Sequence, residues 1–266
     1  MNSSINASWR TATRPSWENG LAHSYVFRNK VAEPNLSQES SMALICFDLD
    51  GTLVDPLQAM NHCVRLTCED FGLPCPSTAQ VASRIGLGAE ELFAGLAEPG
   101  RMAAILECYW QHFAEEGIVQ HRIYDGTLLM LNRLKHQGHQ LYVVTVKPAR
   151  YAKQVLHQFD LLLAFEDVFG GDLNAPGRPK GEVVALLRER GILQPGGFMI
   201  GDRAEDMAAA TAHGLIPMGV TYGFGSAGEL KEAGAGLLFD SVTALDDWFK
   251  EKLHEPEILD SFSRSE

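Results

Sequence analysis

Long apolar runs are missing from this 266-residue chain; short stretches such as that around Leu161 to Phe165 fall far short of the roughly 18–20 residues a membrane-spanning helix needs. Positive charge is also scarce. Lys plus Arg is 22 against 34 for Asp plus Glu, a formal net charge of −12, which disfavours a surface that wraps nucleic acid or coats an anionic membrane. If the substrate carries phosphate, a local cation must override this repulsion. The cysteines are few and odd in number (Cys46, Cys63, Cys68, Cys75 and Cys108), and none has C-x-x-C spacing, so reduced thiols in a cytoplasmic protein are expected rather than a disulfide framework. There is no G-x-x-x-x-G-K-[ST] phosphate loop. No EF-hand loop fits either, because from Asp48 the glycine falls at the fourth position and the twelfth is Ala59.

What is present falls into segments. Residues 1–41 hold eight serines and no sustained period, and lack the apolar core of a secretory signal; a disordered extension is expected there, with Met42 as a candidate true start. From Ala43 the pattern alternates strand and helix. Apolar strand candidates are Ala43 to Phe47, Gln140 to Thr145, Glu166 to Gly170, Gly197 to Gly201, Leu215 to Val220 and Gly236 to Phe239, with helices between them. The fold class is therefore α/β, with a doubly wound parallel sheet. One stretch breaks the alternation: residues 57–122 read as helices, the first over Leu57 to Phe71, then one after a possible capping box at Ser77 and Gln80, then about 89–97 and 101–116. The expected organisation is an α/β core of 42–56 and 123–252, a helical insert of 57–122, and a flexible tail of 253–266.

The chemistry-bearing residues collect at strand ends, where open α/β sheets bind ligands. The first strand runs into Asp48-Leu49-Asp50-Gly51-Thr52. Two buried acids need a cation or a shared proton; an Asx-rich turn is the plain alternative. The next strand ends in Thr145-Val146-Lys147-Pro148, a hydroxyl and free backbone N–H groups before a helix. Lys180 opens a later helix and is preferred to Arg178 as the cation. The fourth ends Gly201-Asp202-Arg203-Ala204-Glu205-Asp206, two acids four apart. Gly223-x-Gly225-x-x-Gly228 nominally fits a dinucleotide fingerprint but sits in the last third of the chain, so it reads as a glycine-rich turn near the site. His62, His112, His121 and His213 read as surface or core histidines, and Tyr109, Trp110 and Phe113 as packing within the insert.

Together, Asp48-x-Asp50-Gly51-Thr52, Thr145, Lys180 and Gly201-Asp202-x-x-x-Asp206 resemble, in order, the four motifs of the haloacid dehalogenase superfamily, over residues 43 to about 250. The wording around Thr145-Val146-Lys147-Pro148, Gly201-Asp202-Arg203 and Tyr222-Gly223-Phe224-Gly225-Ser226 is similar to the phosphoglycolate phosphatase and 5′-nucleotidase-like branch. The resemblance implies a Rossmann-like core with a C1-type helical cap after the first strand. It implies Mg²⁺-dependent hydrolysis of a small phosphomonoester, such as phosphoglycolate or a nucleoside monophosphate, through an aspartyl-phosphate. Asp48 would be the nucleophile and Asp50 the general acid and base. Asp48, the backbone carbonyl of Asp50 and Asp202 would hold Mg²⁺. Thr145, the Val146 N–H and Lys180 would bind phosphoryl oxygens, with the Leu49 and Gly51 amides assisting; Asp206 would orient Lys180 or a metal-bound water. Arg84, between two cap helices, is a candidate to reach the substrate. The cap contains no lysine, which argues against phosphonatase chemistry. Alternatives are a β-phosphoglucomutase-like phosphomutase and a non-catalytic regulatory protein on the same fold. The expected partner is a small phosphorylated metabolite, with neither nucleic acid nor membrane, and the expected state a monomer or homodimer.

Overall fold

The computed structural model describes residues 42–98, 100–172, 178–194 and 196–253. The expected N-terminal extension, and the tail from 254 on, lie outside them; Leu253, placed with the tail by sequence, is buried in the core. The chain runs β1 (Leu44–Phe47), β2 (Val54–Asp55), α1 (Leu57–Phe71), α2 (Thr78–Arg84), α3 (Ala89–Leu92), α4 (Met102–His112), β3 (Arg122–Ile123), α5 (Thr127–His136), β4 (Gln140–Pro148), α6 (Ala149–Gln158), β5 (Asp167–Gly171), α7 (Lys180–Glu189), β6 (Phe198–Gly201), α8 (Ala204–Ala212), β7 (Ile216–Val220), α9 (Ala227–Glu232), β8 (Leu237–Phe239) and α10 (Val242–Lys252).

Six strands form one parallel sheet in the order β5-β4-β1-β6-β7-β8, the α/β architecture expected from sequence. Every residue of β1 and β6 is buried, as strands covered by helices on both faces must be. From β1 the chain winds outward through β4 and β5, then crosses back to β6 and winds the other way. β1 therefore sits at the reversal, where carboxyl ends splay to leave a crevice.

Between β1 and α5 the chain makes the helical insert. Its two crossings are clamped by a short antiparallel ribbon, Val54 opposite Ile123 and Asp55 opposite Arg122. Sequence showed no strand here because two residues carry no period. Asp55 Oδ1 accepts from Leu57 N at 2.9 Å to start α1, and the Ser77–Gln80 capping box forms as expected. Asp70 accepts from His112 Nε2 at 2.7 Å and from Cys108 Sγ at 3.4 Å, so one carboxylate satisfies both donors and ties α1 to α4.

Three elements differ from expectation. The helix expected over 89–97 ends at Leu92, and Gly95 has φ +77°, a left-handed conformation that helices exclude. The helix expected over 101–116 stops being α-helical at His112 and widens into a π turn at Phe113–Gly117, followed by a 3₁₀ turn at Ile118–Gln120. Strand β4 extends past Thr145 to Pro148, because pairing with β5 resumes at Pro148 opposite Gly171 after an irregularity.

The aromatic cluster expected inside the insert also reaches the core. Trp110 stacks on Tyr151 of α6, with centroids 4.8 Å apart and rings 9° from parallel. All five cysteines are free thiols, and burial pushes Cys46 and Cys63 up to about 12. Among the described residues no helix is long and apolar enough to cross a membrane.

Candidate active site

β1 ends as Asp48 N donates to Ile200 O at 2.8 Å, delivering a buried Asp48 to the crevice. The chain then turns at Gly51, where φ is +88°. A side chain at Gly51 would collide with the Asp202 carboxylate, so the glycine serves both the turn and the approach of that acid.

Asp202 follows β6. Its Oδ2 accepts from Phe224 N at 2.8 Å, and Oδ1 faces Thr52 Oγ1 at 3.5 Å. Gly223 and Gly225 press against Asp202 with no room for a Cβ. The glycine-rich turn is therefore part of the wall around this acid, as its reading as a turn near the site required. Asp206, in the first turn of α8, accepts from Arg203 N at 3.0 Å.

Lys180, the first residue of α7, reaches the centre; its Nζ lies 2.7 Å from Asp48 Oδ1 and 2.8 Å from Asp206 Oδ1. Lys180 also donates to Val144 O at 3.1 Å. Burial works against the Lys180 charge, yet Asp206 and Asp48 hold its pKa above the ordinary value.

Carboxylate oxygens of Asp48, Asp202 and Asp206 all lie within 4.8 Å of one another. Three buried acids face one ammonium, so they cannot all ionise together without a further cation. Burial, then Asp48 and Asp206, push Asp202 well above the carboxylate range; burial and Asp48 push Asp206 up to about 7 against the pull of Lys180. Three buried carboxyl groups that converge on one point, two of them held above their ordinary range by one another and by burial, are the hard oxygen donors that fit a divalent cation.

Thr145 and Val146 lie just beyond the last rung that joins β1 to β4, Phe47 opposite Val143. The Thr145 hydroxyl is buried and accepts from Lys147 N at 3.2 Å. Arg84 ends α2 and donates to Leu92 O at 3.2 Å; it lines a cleft of about 350 Å³ between insert and core, together with Asp50, Tyr109, Trp110, Val146 and Lys147. The structure thus gathers Asp48, Lys180, Asp202 and Asp206 around one point, while Asp50, Val146 and Arg84 face the adjoining cleft.

Two residues were missed from sequence. Lys147 Nζ is buried and lies 2.7 Å from Asp50 Oδ1 and 3.3 Å from His121 Nε2. His121 is a core histidine, but one facing this site. Its Nδ1 lies 3.1 Å from both Gly117 O and Ile118 O, which assigns the proton to Nδ1 and a lone pair to Nε2. Burial, then Lys147, lower its pKa to about 3, so the ring is neutral. The available signal was a lysine at the end of a buried strand, where only a partner justifies burial. A third contact joins insert to core: Arg203 donates to Ile85 O at 2.7 Å and to Glu229 Oε1 at 2.9 Å.

This geometry, a parallel sheet with an acid pair after β1, a buried lysine opening α7 and two acids after β6, defines a hydrolase class. The chain belongs to the haloacid dehalogenase-like hydrolase family, whose model matches residues 45–220. It is similar to a 5′-nucleotidase of Pseudomonas aeruginosa, 33% identical over 70% of this chain and 86% of that protein. It is also similar to a phosphoglycolate phosphatase of Aliivibrio fischeri, 31% identical over 76% of this chain and 94% of the relative. Among solved structures, a predicted phosphatase from Clostridium acetobutylicum superposes with a TM-score of 0.73 at 30% identity, covering 79% of this chain and all of that one.

Proposed function

We propose that this chain is a phosphatase that hydrolyses a small phosphomonoester, phosphoglycolate-like or a nucleoside monophosphate, through an aspartyl-phosphate on Asp48. The observation that carries the reading is Lys180 held between Asp48 and Asp206 beside Asp202, a nucleophile and a phosphate-binding cation in one dry pocket.

In the first step a carboxylate oxygen of Asp48 attacks phosphorus, the bond to the leaving oxygen breaks, and Asp50 gives that oxygen a proton. In the second, water attacks the phosphorus of the aspartyl-phosphate, its proton passes to Asp50, and the bond to Asp48 breaks to release inorganic phosphate. Lys180, the Thr145 hydroxyl and the Val146 N–H bind the phosphoryl oxygens, where transition-state charge collects. Asp206 keeps Lys180 aimed at Asp48. Asp48, Asp202 and the Asp50 carbonyl would hold Mg²⁺, which neutralises phosphoryl charge when bound. The insert serves as a cap that keeps bulk water from the cleft. Free cysteines support a cytoplasmic location.

The test is phosphate release from a panel of phosphorylated metabolites with Mg²⁺ and with chelator. Turnover with Mg²⁺, its loss on chelation, and its loss in Asp48→Asn are expected; full turnover by Asp48→Asn would overturn the assignment.

A further inference from the structure

Lys147 has no place in the chemistry above, yet it is the second buried ammonium at the site. Its three N–H donors have three partners: Asp50 Oδ1 at 2.7 Å, the Nε2 lone pair of His121 at 3.3 Å, and the face of Phe113, whose centroid lies 4.8 Å from Nζ. The partners themselves are fixed. His121 is anchored through Nδ1 to the carbonyls of Gly117 and Ile118, and its ring meets Phe113 edge-on at 5.4 Å. Phe113 in turn lies 5.5 Å from Tyr151 of the core. The π turn that departs from the expected helix is the element supplying Phe113 and the Gly117 carbonyl.

We propose that Lys147 is a positioning residue for Asp50, and that His121 and Phe113, where the cap rejoins the core, set its aim. Gripping Oδ1 fixes the carboxyl rotamer and leaves Oδ2 to pass the proton to the leaving oxygen and to take one from water. The cap is thereby linked to the proton donor through one chain of contacts: the π turn, His121, Lys147, Asp50. This rests on the phosphatase reading and adds the group that orients its acid.

The experiment measures the phosphorylation half-reaction of the full chain with Mg²⁺, by rapid quench, across aryl and alkyl monophosphates. A 4-nitrophenyl leaving group needs little protonation; an alkyl alkoxide needs it fully. General acid catalysis contributes about 10²–10⁴-fold. Lys147→Met is expected to lose on the order of 100-fold on alkyl phosphates and under about 10-fold on 4-nitrophenyl phosphate, with inhibition by inorganic phosphate unchanged. Asp50→Asn should show the same pattern, and the double variant no further loss, since residues acting as a unit are not additive. His121→Phe, which keeps the ring but removes the lone pair, should shift the same way by less, and it carries the test if Lys147→Met does not fold. Equal loss on every leaving group, weaker phosphate inhibition, or an additive double variant would overturn the proposal while leaving the phosphatase reading intact. Wild-type protein inactive on all monoesters would instead remove the reading on which the proposal rests.

Discussion

At the scale of single residues, the site is a balance of charges too close together. Asp202 is buried, accepts from Phe224 N and Thr52 Oγ1 among the described residues, and faces two other acids. Replacing it by Asn removes the cost of burying a carboxyl group beside two other acids. Asp202→Asn is expected to raise the melting temperature measured in chelator by a few degrees, about 1–2 kcal/mol, while abolishing metal-supported turnover. Gly51→Ala should go the other way, because the new methyl meets the Asp202 carboxylate from a backbone at φ +88°; a loss of about 1–3 kcal/mol by denaturant unfolding is expected, with turnover lost as well. Asp48, Asp50, Thr145 and Asp202 could be picked out because they follow apolar strands, and Lys180 and Asp206 because they stand in the first turns of helices. Lys147 could not. Its partner Asp50 is 97 residues away and His121 is 26 away, and no local pattern encodes a pairing across such distances.

Elements show a similar division. The strands were readable, since four or more buried apolar residues bounded by glycine, proline or acid have few other uses. The cap was readable as helical but not in detail, because a π turn and a two-residue ribbon fall below any window of periodicity. The contact between α2 and α8 was equally hidden. Arg203 caps the carbonyl of Ile85 while Glu229 holds Arg203, and Gly86 leaves room for the arginine, whose Cγ a Cβ there would meet at 2.8 Å. Glu229 is partly buried, which raises its pKa, but the Ala204 N–H and Arg203 more than offset this and leave it below the ordinary value. A carboxylate with a depressed folded-state pKa contributes stability above its unfolded pKa and loses it as pH falls through the folded value. Glu229→Gln is therefore expected to be less stable than wild type near neutrality and nearly equal to it in acid, below the ordinary glutamate range, as read from melting temperatures against pH. Phe113→Ala, which empties a fully buried position under Lys147, should cost about 3–5 kcal/mol by the same measurement.

For the molecule as a whole, a net charge of −12 and three acids converging on one buried point predict that folding is coupled to cation binding. A ligand that binds only the folded state stabilises by about 2.7 kcal/mol at one hundred times its dissociation constant. Mg²⁺ is thus expected to raise the wild-type melting temperature in a concentration-dependent way and to leave that of Asp202→Asn unmoved; scanning calorimetry across a Mg²⁺ titration checks both. The β2–β3 ribbon has a wider consequence. Because the polypeptide leaves and re-enters the core through neighbouring residues, Val54–Asp55 and Arg122–Ile123, everything between them joins the core's backbone at a single port, and its other holds on the core, such as Arg203 on Ile85 and Trp110 on Tyr151, are side-chain contacts. Substrate preference can then diverge by exchanging that pendant module, with no sheet strand recut, provided each replacement shields Tyr151 and offers Lys147 a substitute for His121.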